Sequence, residues 1–330
     1  MKPKRTYLVT GGFGFLGSAL TRALVQAGHF VRVLDNGSRG AGDALEDVQG
    51  SLEILEGDIR EAETVARAIR GVDAVCHLAF VNGTRYFYEK PALVLEVGVK
   101  GMMNVLDGCI RAKVGELVLA SSSEVYQNPP KIPTDETAPL IVPDPHNPRY
   151  SYAGGKIISE LLGLHYGREY FNRVVIFRPH NVFGPRMGWD HVIPEFITRM
   201  IRLKTAAGGS EIPFPIQGSG EQTRAFIYID DFTDGLMRVI ERGEHLNIYH
   251  IGTNEERSIR EVALRIADSL GIRIQVVPGP EALGGTPRRC PDIRKLQALG
   301  FQPHISFEEG LWRTVQWYGA QAAIGAGVAR

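Results

Sequence analysis

The segment TYLVTGGFGFLGSAL (residues 6–20) limits the possible folds of this chain more than any other feature: a short β-branched run passes directly into Gly11, Gly14 and Gly17, and an apolar helical pattern opens at Phe15. Glycine permits a tight turn, lets backbone approach a pyrophosphate, and lets a helix pack closely on a strand. The new helix then presents free N–H groups and the positive end of its dipole. A flexible loop is the plain alternative, and the rest of the chain has to choose between the two.

Beyond this segment the pattern repeats. The runs FVRVLD, SLEILEGD, DAVCHLA, ELVLASS and RVVIFRP alternate with helical stretches near residues 15–27, 61–69, 93–112 and 153–170. That alternation predicts an α/β fold, a Rossmann-like doubly wound parallel sheet over residues 1–178, with ligands at the carboxyl ends of its strands. After Pro179 glycines and prolines replace the rhythm. Residues 179–330 are therefore expected to form a smaller C-terminal substrate-binding portion, with the chain rejoining the sheet by about 226–251 and a helix near 259–270. The proline-rich stretch from Pro129 to Pro148 reads as an extended loop.

Charge narrows the range of partners. Thirty-seven Lys and Arg balance thirty-seven Asp and Glu, so no basic field draws nucleic acid or an anionic membrane, and a few placed cations must meet any anionic ligand. Cys76, Cys109 and Cys290 are odd in number and widely spaced, with no metal-ligand pattern, which predicts a reduced, cytoplasmic protein without a metal site. No apolar run approaches membrane-spanning or signal-peptide length.

Asp35 closes the second run, 18 residues beyond Gly17. A carboxylate there accepts hydrogen bonds from the adenosine ribose and repels a 2′-phosphate, which favours NAD; Arg39 close by keeps NADP open. Asp58 with Ile59 either lines an adenine pocket or, for Asp58, caps a helix. Tyr152 and Lys156 form a YxxxK pair, one turn apart on one helix face. An ammonium beside a phenol favours phenolate and turns it into a usable base, although an isolated pair of this kind is also common on solvated helices.

Taken together, GGFGFLG, Asp35, GDI, HLA, SSSEVY, YAGGK, RPHNVFGP, GSGEQTRAFIYIDD and RRCPDIRKLQALGF resemble the extended short-chain dehydrogenase/reductase family over nearly the whole chain. The similarity is to its nucleotide-sugar epimerases, dehydratases and decarboxylases. The resemblance implies Ser122, Tyr152 and Lys156 as the oxidising constellation, with Glu124 as a further acid or base. It implies cofactor contacts from Gly11, Gly14, Phe15, Leu16, Gly17, Asp35, Asp58, Ile59, Leu78, Ala79, Tyr152 and Lys156. It implies diphosphate contacts from Asn181, the backbone of His191 and Val192, Arg224 and Arg289. Phe214 lines the base pocket or packs in the core.

The activity implied is that of an NAD-dependent nucleotide-sugar epimerase acting through a transient 4-keto sugar, from a homodimer built on the helices near 93–112 and 153–170. The alternatives are a 4,6-dehydratase or uronic acid decarboxylase using Glu124, and a non-catalytic NAD-binding regulator. Ser123 stands where one dehydratase branch carries Asp. Other departures are Gln127 for Gly after EVY, Phe80 for Ala after HLA, Gly98 for Asn, and a 30-position interval from Ser122 to Tyr152 holding seven prolines.

Overall fold

A computed structural model describes residues 3–38, 42–206, 211–281 and 285–328. In the first half, strands β1 (Thr6–Thr10), β2 (Phe30–Asp35), β3 (Leu52–Glu56), β4 (Ala74–His77), β5 (Glu116–Ala120) and β6 (Arg173–Pro179) all run parallel. In β4 every residue is buried, and β1, β5 and β6 are buried nearly throughout, as parallel strands covered on both faces must be. Helices α1 (Phe15–Gln26), α2 (Ala62–Ile69), α5 (Gly101–Ala112) and α6 (Ser151–Tyr170) supply those covers, and the short helices α3 (Thr84–Glu89) and α4 (Pro91–Leu95) come between β4 and α5 in the chain. One apolar core joins Leu20 and Leu24 to Val9, Val33 and Phe177; a second, on the other face, joins Val65, Ile69, Val105 and Leu106 to Leu8, Leu34 and Ile176.

In the second half come β7 (Val182–Phe183), α7 (Val192–Ala206), β8 (Ile212–Ile216), β9 (Thr223–Ala225), β10 (Ile227–Tyr228), α8 (Ile229–Arg242) and β11 (Asn247–Ile251). They are followed by β12 (Glu256–Ser258), α9 (Ile259–Leu270), β13 (Ile274–Pro278), β14 (Arg288–Arg289), α10 (Arg294–Gln297) and α11 (Phe307–Val328). Strand β11 pairs in parallel with β6, so the main sheet has the order β11-β6-β5-β4-β1-β2-β3. The order reverses between β1 and β4, which opens a crevice at their carboxyl ends. The remaining strands form three small sheets, β12-β9-β14, β13-β8 and β10-β7.

Two elements differ from the sequence expectation. The stretch read as one helix near 93–112 is interrupted by a π-helical turn at Glu96–Lys100, beside Gly98 and Gly101, whose bare Cα atoms lie against Phe80 and Ile59. FIYIDD opens the 226–251 stretch expected to rejoin the sheet, but it gives the short strand β10 and then a helix: α8 begins at Ile229, with Asp230 and Asp231 in its first turn, where carboxylates favour a helix N-terminus. Buried Asp231 also accepts hydrogen bonds from the His304 and Ile305 N–H groups, at 3.0 Å and 2.9 Å, which ties the C-terminal segment to α8.

Candidate active site

The glycine turn is built so that nothing can be added to it. Gly11 has φ +75°, and a Cβ there would lie 2.8 Å from the Ala79 backbone nitrogen; a Cβ on Gly17 would lie 2.0 Å from the Gly11 carbonyl oxygen. The Gly14 N–H donates to that same carbonyl at 3.1 Å, and α1 opens at Phe15 with no side-chain cap. Its first N–H groups, on Phe15, Leu16 and Gly17, thus have no intrahelical acceptor and line an open cradle, the arrangement that receives an anion.

Asp35 braces this turn, accepting hydrogen bonds from the Phe13 N–H at 3.0 Å and the Gly37 N–H at 2.9 Å. Burial raises its pKa, and these backbone donors oppose the rise. Asp58 lies beside it: Asn36 Nδ2 and Arg60 Nη2 donate to its carboxylate at 3.0 Å and 2.8 Å, and the Arg60 bond holds it down to about 2. The N-cap of α2 is Glu61, so Asp58 does not cap that helix. Ile59 is buried beneath Gly101. The Leu78 and Ala79 N–H groups donate to the Thr10 carbonyl and hydroxyl, each at 3.2 Å, which holds the end of β4 against the glycine turn. Arg39 lies outside the described residues.

At the next strand end, Ser122 is extended and caps the short helical turn Ser123–Tyr126, its Oγ accepting from the Glu124 N–H at 3.1 Å. The first turns of α6 carry Tyr152 and Lys156, both buried. Lys156 Nζ donates to the Ala120 carbonyl at 2.7 Å, so the lysine and Ser122 meet at the same end of β5. Burial pulls the ammonium down to about 7, with Glu160 one turn onward working against it. Beneath the serine loop lies a buried polar network. Ser121 donates to Glu160; Glu160 holds Arg178 through two bonds of 2.8 Å and 2.6 Å; Arg178 donates to the Tyr126 hydroxyl, which lies 2.6 Å from His250 Nε2.

Facing this loop, Glu124 forms an ion pair of 2.8 Å with Arg289, which β14 supplies. Burial alone would raise the Glu124 carboxyl, but the charges of Arg289, Arg149 and Arg224 together hold it below the usual range. Arg224 is fastened by the Thr223 and Thr286 carbonyls at 2.7 Å and 2.8 Å. Burial and the neighbouring Arg289 bring it down to about 10. Arg149, in the turn just before Tyr152, was not singled out from the sequence. Its Nε is buried with no hydrogen-bond partner among the described residues, and so is Asn181 Oδ1, on a residue with φ +41°. Its sequence signal was its place: Asn147 starts a turn by accepting from the Arg149 N–H at 3.0 Å, aiming this side chain from the step before the YxxxK helix.

The other expected contacts are placed as follows. His191 and Val192 lie at the start of α7, where the His191 carbonyl accepts from the Glu195 N–H. Phe214 is wholly buried, edge-on to Phe196 and with the Arg199 guanidinium 3.9 Å from its ring centre. Of the two placements open in the sequence, this is the one in the core. Among the described residues no helix is long and apolar enough to cross a membrane.

A parallel sheet with a glycine turn at its reversal point and a buried Tyr–Lys pair at the next strand end defines a dinucleotide-dependent enzyme of the extended short-chain dehydrogenase/reductase class. More particularly, the chain belongs to the NAD dependent epimerase/dehydratase family, whose model matches residues 7–252. It is 31% identical over 325 residues to a UDP-N-acetyl-alpha-D-glucosaminuronate decarboxylase of Bacillus cytotoxicus, covering 96% of this chain and 98% of the relative. It is 31% identical over 316 residues to a putative UDP-glucose 4-epimerase of Methanocaldococcus jannaschii, covering 94% and 97%. Among solved structures it superposes with a TM-score of 0.85 on the dTDP-glucose 4,6-dehydratase DesIV of Streptomyces venezuelae, crystallised with NAD, at 32% identity over 97% of this chain and 98% of the other.

Proposed function

We propose that this enzyme is a nucleotide-sugar epimerase that inverts C4 by way of a transient 4-keto sugar. The observation that carries the reading is the Glu124–Arg289 ion pair. Dehydration needs a carboxyl group free to move protons at carbon, whereas oxidation, rotation and reduction at C4 need none.

In this reading residues 1–178 with the returning stretch 226–251 hold the cofactor, and most of 179–330 holds the sugar nucleotide. The glycine turn and the N–H groups of Phe15, Leu16 and Gly17 fit a pyrophosphate, Asp35 the adenosine ribose, Asp58 and Ile59 the adenine edge, and Leu78 and Ala79 the floor between. NAD held there would supply the acceptor, and then the donor, of the C4 hydride. Tyr152 takes the C4 hydroxyl proton, Lys156 favours the phenolate, and Ser122 Oγ hydrogen-bonds the reacting oxygen. Arg149, Arg224 and Arg289, with one charge offset by Glu124, leave two positive charges for a diphosphate; Asn181 and the backbone of His191 and Val192 complete its surroundings.

A second reading, uronic acid decarboxylation, is favoured by the Bacillus cytotoxicus relative: a 4-ketone is enough to expel a C6 carboxylate, and Arg289 stands ready to neutralise it. A non-catalytic regulator has no use for a buried lysine beside a buried tyrosine. A homodimer is supported by Ile158 and Leu161, exposed on one face of α6, and a cytoplasmic location by three free, buried cysteines. The test is incubation with a panel of UDP-, dTDP-, GDP-, CDP- and ADP-sugars and uronates, with products read by mass and NMR. Unchanged mass with inverted C4 is expected; loss of water or of carbon dioxide would replace epimerisation by one of its rivals.

A further inference from the structure

Two of the departures noted in the sequence, Phe80 and Gly98, meet in space. A Cβ on Gly98 would lie 2.2 Å from Phe80 Cζ, and one on Gly155 would lie 3.0 Å from the same atom. The Phe80 ring therefore fills a slot that exists because two helical positions carry no side chain. Its face looks onto Lys156, with Nζ 4.1 Å from the ring centre. Its edge meets Tyr152 at 5.1 Å and an interplanar angle of 82°. The ring of Phe87, from α3, stacks on the same tyrosine at 4.9 Å and 21°. Phe80, Phe87, Tyr152 and Val94 form an apolar cluster separate from the two main cores.

We propose that Phe80 and Phe87 are positioning residues, an aromatic clamp that fixes the Tyr152 ring and excludes water from Lys156, with Gly98 and Gly155 providing its clearance. This rests on the reading of Tyr152 as the base. The oxidation itself asks only for a hydroxyl and an ammonium, so the clamp acts through their placement and hydration. The groups around the ammonium are the Ala120 carbonyl on β5, Glu160 on its own helix, His77 on β4, and Tyr152. The Phe80 face attracts the cation, but its bulk removes water. Burial as a whole brings Lys156 down to about 7 from an ordinary 10.5, with Glu160 opposing.

The test uses Phe80→Ala, Gly98→Ala and the double variant. A methyl at position 98 has to push the ring out of its slot, so the single variants should share one defect, and the double should be no worse than either. The first readout is the pH dependence of Lys156 acylation in the cofactor-free chain, followed by mass spectrometry. It is expected to move up by about one unit or more in both single variants and to stay near the parent in Phe80→Leu, which keeps the bulk. The second is turnover of the NAD-loaded enzyme, expected to fall about tenfold with KM changed less than about threefold, and to recover substantially in Phe87→Leu relative to Phe87→Ala. An unmoved Lys156 titration in Phe80→Ala, or losses that simply add in the double variant, would overturn the clamp. Should Tyr152→Phe turn over like the parent, the base assignment fails, while the acylation readout still decides whether Phe80 dries Lys156.

Discussion

The ends of the crevice that we propose for the cofactor and for the sugar nucleotide are made by opposite means. At the first, function depends on side chains that are missing: the atoms facing Gly11 and Gly17 are backbone atoms of Ala79, Leu78 and Gly11–Gly12, which cannot turn aside. At the second, it depends on long cationic side chains brought from residue 149, from β9 and from β14, steadied by carbonyl groups and by Glu124. A backbone cradle is local in sequence and responds to change in an all-or-none way. A charge cluster is assembled from distant segments and responds by degrees, because each cation is one of several.

The largest effect should therefore come from one methyl group. Gly17→Ala places a Cβ 2.0 Å from the Gly11 oxygen, and the turn has to open. Calorimetry is expected to show NAD affinity reduced by roughly 10²-fold or more, with a lowered Tm. Gly28→Ala is the control. It has a positive φ, +86°, which Gly17 lacks, and open space around the added carbon, so it should cost some stability and leave NAD affinity within about threefold. Equal losses of NAD affinity in the two variants would mean that general destabilisation, not the closed cradle, is what matters.

Tyr152→Phe comes next. Turnover should drop roughly 10²-fold or more, the usual scale for a general base, with NAD binding kept. A variant that turns over like the parent would remove Tyr152 from the chemistry and leave the cradle untouched.

The same contrast explains what could be read before the structure. The cradle, the parallel strands and the YxxxK helix are each written within a few neighbouring residues, and their glycines, β-branched runs and periodicity report on local backbone. The main sheet and the α9 helix at Ile259–Leu270 followed from them. Arg149 escaped notice because its role comes from a turn, set by Asn147, that places it against Glu124 and Arg224, and no local pattern encodes that meeting. Helix α8 was hidden behind the strand-like AFIY that precedes it. The Phe80 slot needed Gly98 and Gly155 from two other helical segments to be seen together.

A graded response should appear at Arg149. Arg149→Met keeps much of the side-chain length and removes one of three positive charges, so sugar-nucleotide affinity is expected to fall about tenfold, with a weaker dependence on salt than the parent shows. Calorimetry at two ionic strengths would check both. A loss as complete as that of Gly17→Ala would mean the cluster behaves as a rigid unit, and the contrast between the two ends would dissolve.

The smallest effect is expected at Glu124, and it bears most directly on the reaction. Glu124→Gln keeps the shape of the side chain but releases Arg289 from its ion pair. In a plain C4 epimerase, turnover should stay within about threefold, and affinity for the diphosphate should hold or tighten slightly because one opposing charge is gone. Because the folded carboxyl titrates below its ordinary range, the parent's advantage in stability over the variant is fully present above about pH 4.3, the unfolded value. That advantage fades as pH falls through the depressed folded value. Thermal unfolding of the pair across this range checks the sign: a gap that widened on acidification would mean the arginines do not hold Glu124 as a carboxylate. The chemical check is solvent deuterium. If label enters a carbon of the product in the parent and vanishes in Glu124→Gln, the carboxylate moves protons at carbon, and the epimerase reading gives way while the cradle and Tyr152 keep their parts.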